Sequence, residues 1–272
     1  MISFWIFLIL YIAFLVFGAV EIFERVKNAD PIKAYVMFFV SCNVPFIYSL
    51  LSVLVKHNLK VYFWYMRIIN RIKNPTVKWS LSVRFEGDFN EECMQKVKED
   101  IVNGKLLSAG TKIKHSTKQS LSLVVKDSLA IEMEYENKDS FKREKDMIEL
   151  SFPFFEVSCN YSRHKLDKEI VPILETLKDH FLPSNSSYVL NVNFLGKNPF
   201  YTVFIDHLRL DQIDDFNVTL NIGEYSCNSK DLVSIRKDEI SITTRALSAL
   251  KELAKDFIFL SPNTNKMIQL KG

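Results

Sequence analysis

The hydrophobic and polar positions divide the chain into a strongly apolar N-terminal part and an alternating remainder. Residues 2–20 and residues 34–55 form two runs without a charged side chain, and the segment between them, residues 21–33, is short and charged. Crossing the hydrocarbon core of a bilayer takes about 20 apolar helical residues, so each run is long enough to span it. The pattern therefore predicts a transmembrane helical hairpin over residues 1–56.

A cleaved signal peptide is the alternative interpretation of the first run. Signal peptides begin with basic residues and carry an apolar core of about 7–15 residues. The segment from Met1 to Ser3 has no basic residue, and the apolar run that follows is longer than such a core, although Gly18 and Ala19 would suit a cleavage site. These features favour the transmembrane hairpin.

Small and polar residues recur at helical spacing along the second run. They are Ser41, Pro45, Ser49 and Ser52. Membrane helices associate through small residues and hydroxyl groups, and Pro45 leaves one backbone carbonyl without its usual donor. Two interpretations stay open: self-association with other copies of the chain, with rearrangement into a pore or membrane defect, or a seam against the first helix at Ala13, Gly18 and Ala19.

A basic and aromatic neck, residues 57–78, follows the hairpin. It contains Lys and Arg but no acid, and an aromatic cluster runs from Tyr62 to Tyr65. Lys and Arg near helix ends favour the cytoplasmic side of a membrane. We therefore expect a multi-pass membrane protein whose two termini and soluble part are cytoplasmic. The neck either continues the second helix or forms a short amphipathic helix on the membrane, and Asn74–Pro75 should end it.

The remainder of the chain alternates between apolar and polar residues in short segments, as β-strands do. The predicted strands are residues 79–85, 121–125, 129–135, 148–157, 188–194, 201–207, 216–222, 232–235 and 240–243. The predicted helices are residues 90–103, 163–181 and 245–259, with a bend at Pro172. We expect an α+β domain with antiparallel sheets, in which residues 79–185 and 186–272 form two related β-α halves.

Cysteine usage and motif content argue against a disulfide framework, a zinc site and an enzyme. Cys42 lies in the second apolar run, and Cys93, Cys159 and Cys227 have no spacing typical of disulfides or zinc. The sequence has no phosphate-binding loop, dinucleotide-binding glycine motif or zinc-protease motif. We therefore expect no catalytic residue, no metal ion and no cofactor.

The charge distribution argues against DNA or RNA as the main partner. The net charge is only +3, and most of the basic excess lies next to the apolar runs, whereas nucleic-acid binding needs many unbalanced cations. A second basic segment, Lys112 to Lys118, alternates like an edge strand. Lysines on an edge strand prevent pairing with other sheets, so this segment is interpreted as protection of a sheet edge.

Basic residues begin two of the predicted helices. They are Arg163, His164 and Lys165 in the second helix and Arg245 in the third. Ser162 and Thr244, which precede them, suit N-caps. Cations in the first turn oppose the helix dipole, and a bound phosphate would remove that penalty. These residues form the candidate phosphate-binding site predicted from the sequence.

A structural role is the alternative interpretation of these cations. Their side chains would extend into water, and Asp167 and Glu169 would neutralise them. The dipole penalty amounts to only a few tenths of a kcal/mol for each cation. This small penalty favours the structural interpretation.

The layout of the chain resembles that of a known class of proteins. A predicted transmembrane hairpin, a basic aromatic neck and a β-rich domain without catalytic motifs are similar to the two-transmembrane, β-rich effectors of bacterial anti-phage systems. Those systems signal through cyclic nucleotides, as in CBASS and the related decoy-nucleotide systems. The resemblance covers the whole chain in architecture and includes no ligand-binding motif, and the soluble part is larger than the minimal barrel of the best-known members.

The resemblance implies a sensor that binds a cyclic oligonucleotide and controls the assembly of hairpins in the bacterial inner membrane. In such a sensor Arg163 and Arg245 would line the ligand pocket, and Tyr161 would be available to stack on a base. Membrane disruption would then arrest the infected cell, with the ligand either activating or restraining the effector. The competing interpretation is a non-enzymatic membrane-anchored scaffold or interaction module. A third is an accessory subunit of a transporter or secretion system.

Overall fold

The computed structural model contains two compact units, with the boundary between Tyr62 and Phe63. It describes residues 40, 43–44, 47–55, 58–107, 110–126, 129–141, 143–196, 198–200, 217–222 and 231–258. The first apolar run, Ser41, Pro45 and the predicted strand 201–207 lie outside these residues. Within them, no helix is both long and apolar enough to cross a bilayer.

The described part of the first unit is helical and exposes apolar side chains. Residues 47–55, which include Ser49 and Ser52 of the predicted packing stripe, are helical. Ile47 is 58% exposed and Tyr48 is 73% exposed.

Helices and strands alternate irregularly along the described chain. They are α1 Leu59–Lys73, β1 Thr76–Gly87, α2 Cys93–Val102, β2 Lys112–Ser116, β3 Ser120–Val125, β4 Leu129–Glu136, α3 Lys138–Phe141, β5 Asp146–Ser158, α4 Cys159–Lys165, α5 Val171–Phe181, β6 Asn185–Phe194, β7 Val218–Asn221, β8 Leu232–Ile235, β9 Glu239–Thr244 and α6 Leu247–Phe257. A π-helical turn, Leu166–Ile170, joins α4 to α5.

The strands form one antiparallel sheet, which confirms the predicted α+β class. Among the described residues the strand order is β2-β3-β4-β5-β1-β6-β9-β8-β7. The first strand of each predicted half lies at the centre of the sheet, and the last strand of that half lies next to it. Both halves therefore contribute to a single sheet within the second unit. The basic strand β2 occupies an edge, as its lysines predict.

Strict alternation in β1 separates the core from the opposite face of the sheet. Every second residue from Val77 to Phe85 is buried, while the residues that alternate with them are half-buried or exposed. The helices supply the other side of the core, because Leu174 of α5 and Leu250 of α6 are also fully buried. One face of the sheet is therefore covered, and the other is polar, which antiparallel sheets allow.

The second predicted helix differs from the observed one in its start and in its middle. The observed helix begins at Cys159 rather than at residue 163, and a π turn, Leu166–Ile170, ends two residues before Pro172. Proline has no N–H to donate, and its ring crowds the carbonyl four residues earlier. The wider π turn accommodates that loss, so the distortion lies where the proline predicts it. The third predicted helix begins at Leu247, two residues after Arg245.

A stack of three buried phenylalanines holds α1 against the core. The ring centroid of Phe63 lies 5.2 Å from that of Phe200, and Phe200 lies 5.2 Å from Phe257 of α6. All three side chains are fully buried. Tilted aromatic pairs at this distance stabilise a fold beyond the burial of their surface.

Two neighbouring aromatic residues of α1 provide a direct test of this packing. Phe63→Ala should destabilise the protein by about 3–5 kcal/mol, because it leaves a cavity in the core, and should lower the Tm by about 10 °C. Trp64→Ala is the matched control, since Trp64 is 52% exposed. Thermal unfolding of the full chain, followed by near-UV circular dichroism, measures both. Equal losses in the two variants would contradict the burial of Phe63.

Candidate ligand-binding site

The most strongly basic cavity among the described residues lies where α1, α4 and the residue after α6 meet. Its volume is about 400 Å³. We call it the arginine pocket, and it is lined by Trp64, Arg67, Ile68, Asn70, Arg71, Cys159, Asn160, Arg163 and Ile258. The volume lies in the range of about 300–1,000 Å³ that is typical of small-molecule sites.

Hydrogen bonds join the end of α1 to the start of α4 and so form one wall of the pocket. Asn160 Nδ2 donates to the Arg71 carbonyl at 3.1 Å, and the Asn160 backbone N–H donates to Asn74 Oδ1 at 3.0 Å. The Cys159 N–H donates to the Pro75 carbonyl at 2.9 Å. The first N–H groups of α4 are therefore satisfied from within the protein.

Asn74 can make this contact because α1 ends in a left-handed residue. Its φ is 44°, a conformation that asparagine adopts more readily than most residues. Its N–H still bonds to the Asn70 carbonyl at 2.8 Å. The chain then turns into β1 at Pro75, and the predicted end of the neck helix at Asn74–Pro75 is confirmed.

The pocket carries three guanidinium groups and no opposing charge in its described lining. Arg163 Nε lies 3.5 Å from Asp167 Oδ2, just outside the lining, and Asp167 is shared with Lys251 at 3.9 Å. No carboxylate of the described residues lies within ion-pair distance of Arg67 or Arg71. Guanidinium groups donate pairs of parallel hydrogen bonds to phosphate oxygens, so the pocket is suited to an anion.

The structure brings only one of the sequence-predicted ligand residues to this pocket, Arg163. Tyr161 Oη instead donates to Glu169 Oε1 at 3.0 Å, and Lys165 Nζ lies 2.6 Å from Glu169 Oε2. The His164 ring packs against Tyr161, with centroids 5.1 Å apart. Arg245 is exposed in the link before α6 and is not among the residues of the pocket.

The prediction that Arg163, His164 and Lys165 occupy the first turn of their helix is wrong. The helix starts directly after β5, with Ser158 as the extended N-cap residue. Arg163 therefore lies in the second turn, where the dipole argument does not apply. Its partner Asp167 and the pairing of Lys165 with Glu169 are the neutralising contacts that the structural interpretation expected.

The site predicted from the sequence does not include Arg67, Arg71 or Trp64. These residues belong to the basic aromatic neck, whose cations are expected to flank a membrane. The available signal was the four-residue spacing of Arg67 and Arg71, which puts both on one face of a helix without any acid. The proximity of that face to Arg163 depends on tertiary structure.

The carboxylate of Glu169 is held in its charged form. Burial alone would raise its pKa, but hydrogen bonds from Lys165 and Tyr161 outweigh burial and lower the pKa below the usual glutamate value. The same hydrogen bond raises the pKa of the Tyr161 hydroxyl. Tyr161 and Lys165 are therefore committed to a structural cluster on the surface of α4.

A second cavity, of about 320 Å³, lies on another side of the π turn. We call it the lysine pocket, and it is lined by Lys105, Leu107, Val125, Lys126, Leu129, Lys168, Glu169, Pro172, Ile173 and Thr176. Its cations include no guanidinium, and Glu169 offsets part of their charge. It is therefore a weaker anion site than the arginine pocket.

The thiol in the described lining of the arginine pocket, Cys159, is not activated for reaction. Burial raises the pKa of the Cys159 thiol to about 11, so the thiol is protonated at neutral pH and is a poor nucleophile. Among the described residues no group of three His, Cys, Asp or Glu side chains is arranged to hold a metal ion.

Comparison of the sequence with protein-family models and with curated proteins gives no match.

The Glu169 cluster predicts a specific dependence of stability on pH. A carboxylate with a lowered folded-state pKa stabilises the fold above its unfolded pKa, about 4.3, and this contribution is lost as the pH falls through the folded pKa. Glu169→Gln should therefore lower the Tm at pH 7, and its Tm should converge on that of the wild type as the pH falls from about 4.3 through the lowered folded-state pKa of Glu169.

Glu175→Gln is the matched control, because Glu175 is exposed on α5 and makes no ion pair with the described residues. Its Tm should follow the wild type across the pH range. A Glu169→Gln deficit that stayed constant down to pH 3 would contradict the ion-pair account.

Proposed function

We propose that the chain is a membrane-anchored effector of anti-phage defence whose sheet domain binds a cyclic oligonucleotide in the arginine pocket. Ligand binding controls the association of the transmembrane hairpins and thereby the disruption of the bacterial inner membrane. The observation that carries the proposal is the convergence of Arg67, Arg71 and Arg163 on one cavity without an acidic residue in its described lining.

The pocket matches the chemistry of a cyclic oligonucleotide in two respects. Such a ligand carries several phosphodiesters, each of which can accept paired hydrogen bonds from a guanidinium. Trp64 lines the same cavity and is 52% exposed. Stacking of a base on an aromatic face contributes about 1–3 kcal/mol to binding. A protein that binds such a ligand without cleaving it needs no general base, and none of the described lining residues is a carboxylate or a histidine.

The placement of the pocket supports a link between ligand and membrane anchor. Arg67 and Arg71 belong to α1, which follows the second apolar run closely in sequence, whereas Arg163 belongs to α4. A ligand held by both helices stabilises one position of α1 against the sheet. A ligand shifts a conformational equilibrium only by its difference in affinity for the two states, so either activation or restraint follows from the same contacts.

Thermal stability measured against cyclic nucleotides tests this function. The full chain in detergent is heated with cyclic di-AMP, cyclic di-GMP or cyclic tri-adenylate over a range of concentrations. Ligand at 100 times its Kd stabilises the native state by about 2.7 kcal/mol, which corresponds to a Tm increase of about 5–10 °C for a domain of this size. No increase with any of them favours the membrane-anchored interaction module instead.

Single arginine variants then locate the ligand. Arg67→Gln, Arg71→Gln and Arg163→Gln should each abolish most of the Tm increase while leaving the ligand-free Tm nearly unchanged. Arg84→Gln is the matched control, because Arg84 pairs with Glu149 at 3.5 Å on the strand β1 and lines no part of the arginine pocket.

Arg245→Gln separates the pocket from the site predicted by the sequence alone. The arginine pocket predicts a full response in this variant, since Arg245 is not among the residues of the pocket. Loss of the response in Arg245→Gln with retention in Arg67→Gln would contradict the assignment to the arginine pocket.

A further inference from the structure

We infer that α1 docks on an anionic lipid surface through an exposed apolar stripe. The stripe consists of Trp64, Ile68 and Ile72, which are 52%, 38% and 77% exposed. Residues four apart lie on the same face of a helix, so the three side chains form one continuous surface. The neighbouring Phe63 is fully buried, which fixes the orientation of α1 and keeps the stripe on the outside of the domain.

The charges of α1 identify the occupant of the stripe as anionic lipid. The helix contains no acid, and its basic residues are Lys60, Arg67, Arg71 and Lys73. Arg67 and Arg71 each precede a stripe residue by one position, so they flank the apolar surface. A helix with Trp and Ile on one face and cations beside them lies in the boundary between headgroups and acyl chains, where cations meet anionic headgroups.

The position of the stripe in the chain places it near the membrane. Trp64 follows Val55, the last residue of the second uncharged run, by nine residues. Nine residues reach at most about 30 Å even when fully extended. This step rests on the membrane insertion of that run, which is part of the proposed function, and is independent of the identity of the soluble ligand.

Quenching of Trp64 by brominated lipids tests the inference in the full chain. The protein is reconstituted without nucleotide into bilayers of phosphatidylcholine alone or with phosphatidylglycerol, each containing lipid brominated near the glycerol end of the acyl chain. Subtracting the fluorescence emission of the Trp64→Phe variant separates the emission of Trp64 from that of the other two tryptophans. We expect at least twofold stronger quenching of Trp64 in the bilayers that contain phosphatidylglycerol.

Two double variants test the apolar stripe and the arginines that flank it. Ile68→Ser with Ile72→Ser should abolish the quenching, and Arg67→Gln with Arg71→Gln should reduce it to the phosphatidylcholine level. Both pairs are surface changes, and an unchanged Tm confirms that each variant is folded. Arg84→Gln is the charge control, and its Trp64 emission should be quenched as strongly as that of the wild type.

Three outcomes would overturn the inference. Absence of Trp64 quenching in both bilayers means that the stripe does not meet lipid. Equal quenching in both means that anionic headgroups are not the partner. A blue-shifted Trp64 emission without quenching means that protein, such as a second copy of the chain, covers the stripe. Each outcome is obtained without cyclic nucleotide and leaves the Tm test of the arginine pocket unaffected.

Discussion

The pairing of the central strand β1 sets the positions of the elements around it. This strand pairs with β5 from Thr76 to Gly87 and with β6 on its other side. Because alternate residues point to opposite faces, a shift of one residue would move the buried set of β1 into water. The register aligns Thr76 with Ser158. Thr76 lies three residues after the end of α1, and Ser158 lies directly before α4. The arginine pocket is therefore a consequence of strand register.

This arrangement gives α1 three roles at once. Phe63 anchors it in the core, Arg67 and Arg71 face the pocket, and the lipid-docking stripe proposed for it begins at Trp64. Trp64 and Ile68 belong both to the pocket and to the stripe. If both proposed ligands bind, a nucleotide in the pocket and lipid at the stripe compete for the same two side chains. Ligand binding would then change how α1 meets the membrane without any large rearrangement of the sheet.

The sequence predicted those parts of the fold that local patterns determine. The strands corresponding to β1, β3, β4, β5 and β6 follow from alternation of period two, which a buried face imposes on each strand independently. The lysines of β2 predicted an edge because an edge strand needs protection. Pro172 predicted the position of the helix distortion, since the missing N–H is a local property.

Features that depend on distant residues could not be predicted in the same way. Ser158 and Ser162 are equally good N-caps by type, and the helix starts after Ser158 because Asn74 and Pro75 accept its first N–H groups. Those acceptors are more than 80 positions away in sequence. The meeting of Arg67 with Arg163 has the same origin, because it requires the register of β1 with β5.

Amide hydrogen exchange of the full chain, with and without the three cyclic nucleotides, tests whether one ligand contacts α1 and α4 together. We expect the nucleotide that raises the Tm to slow exchange in residues 64–71 and in residues 159–163, with little change in the edge strand β2. Slower exchange confined to the lysine pocket, in residues 105–107 and 168–176, or in only one of the two helices, would show that α1 and α4 do not share a ligand.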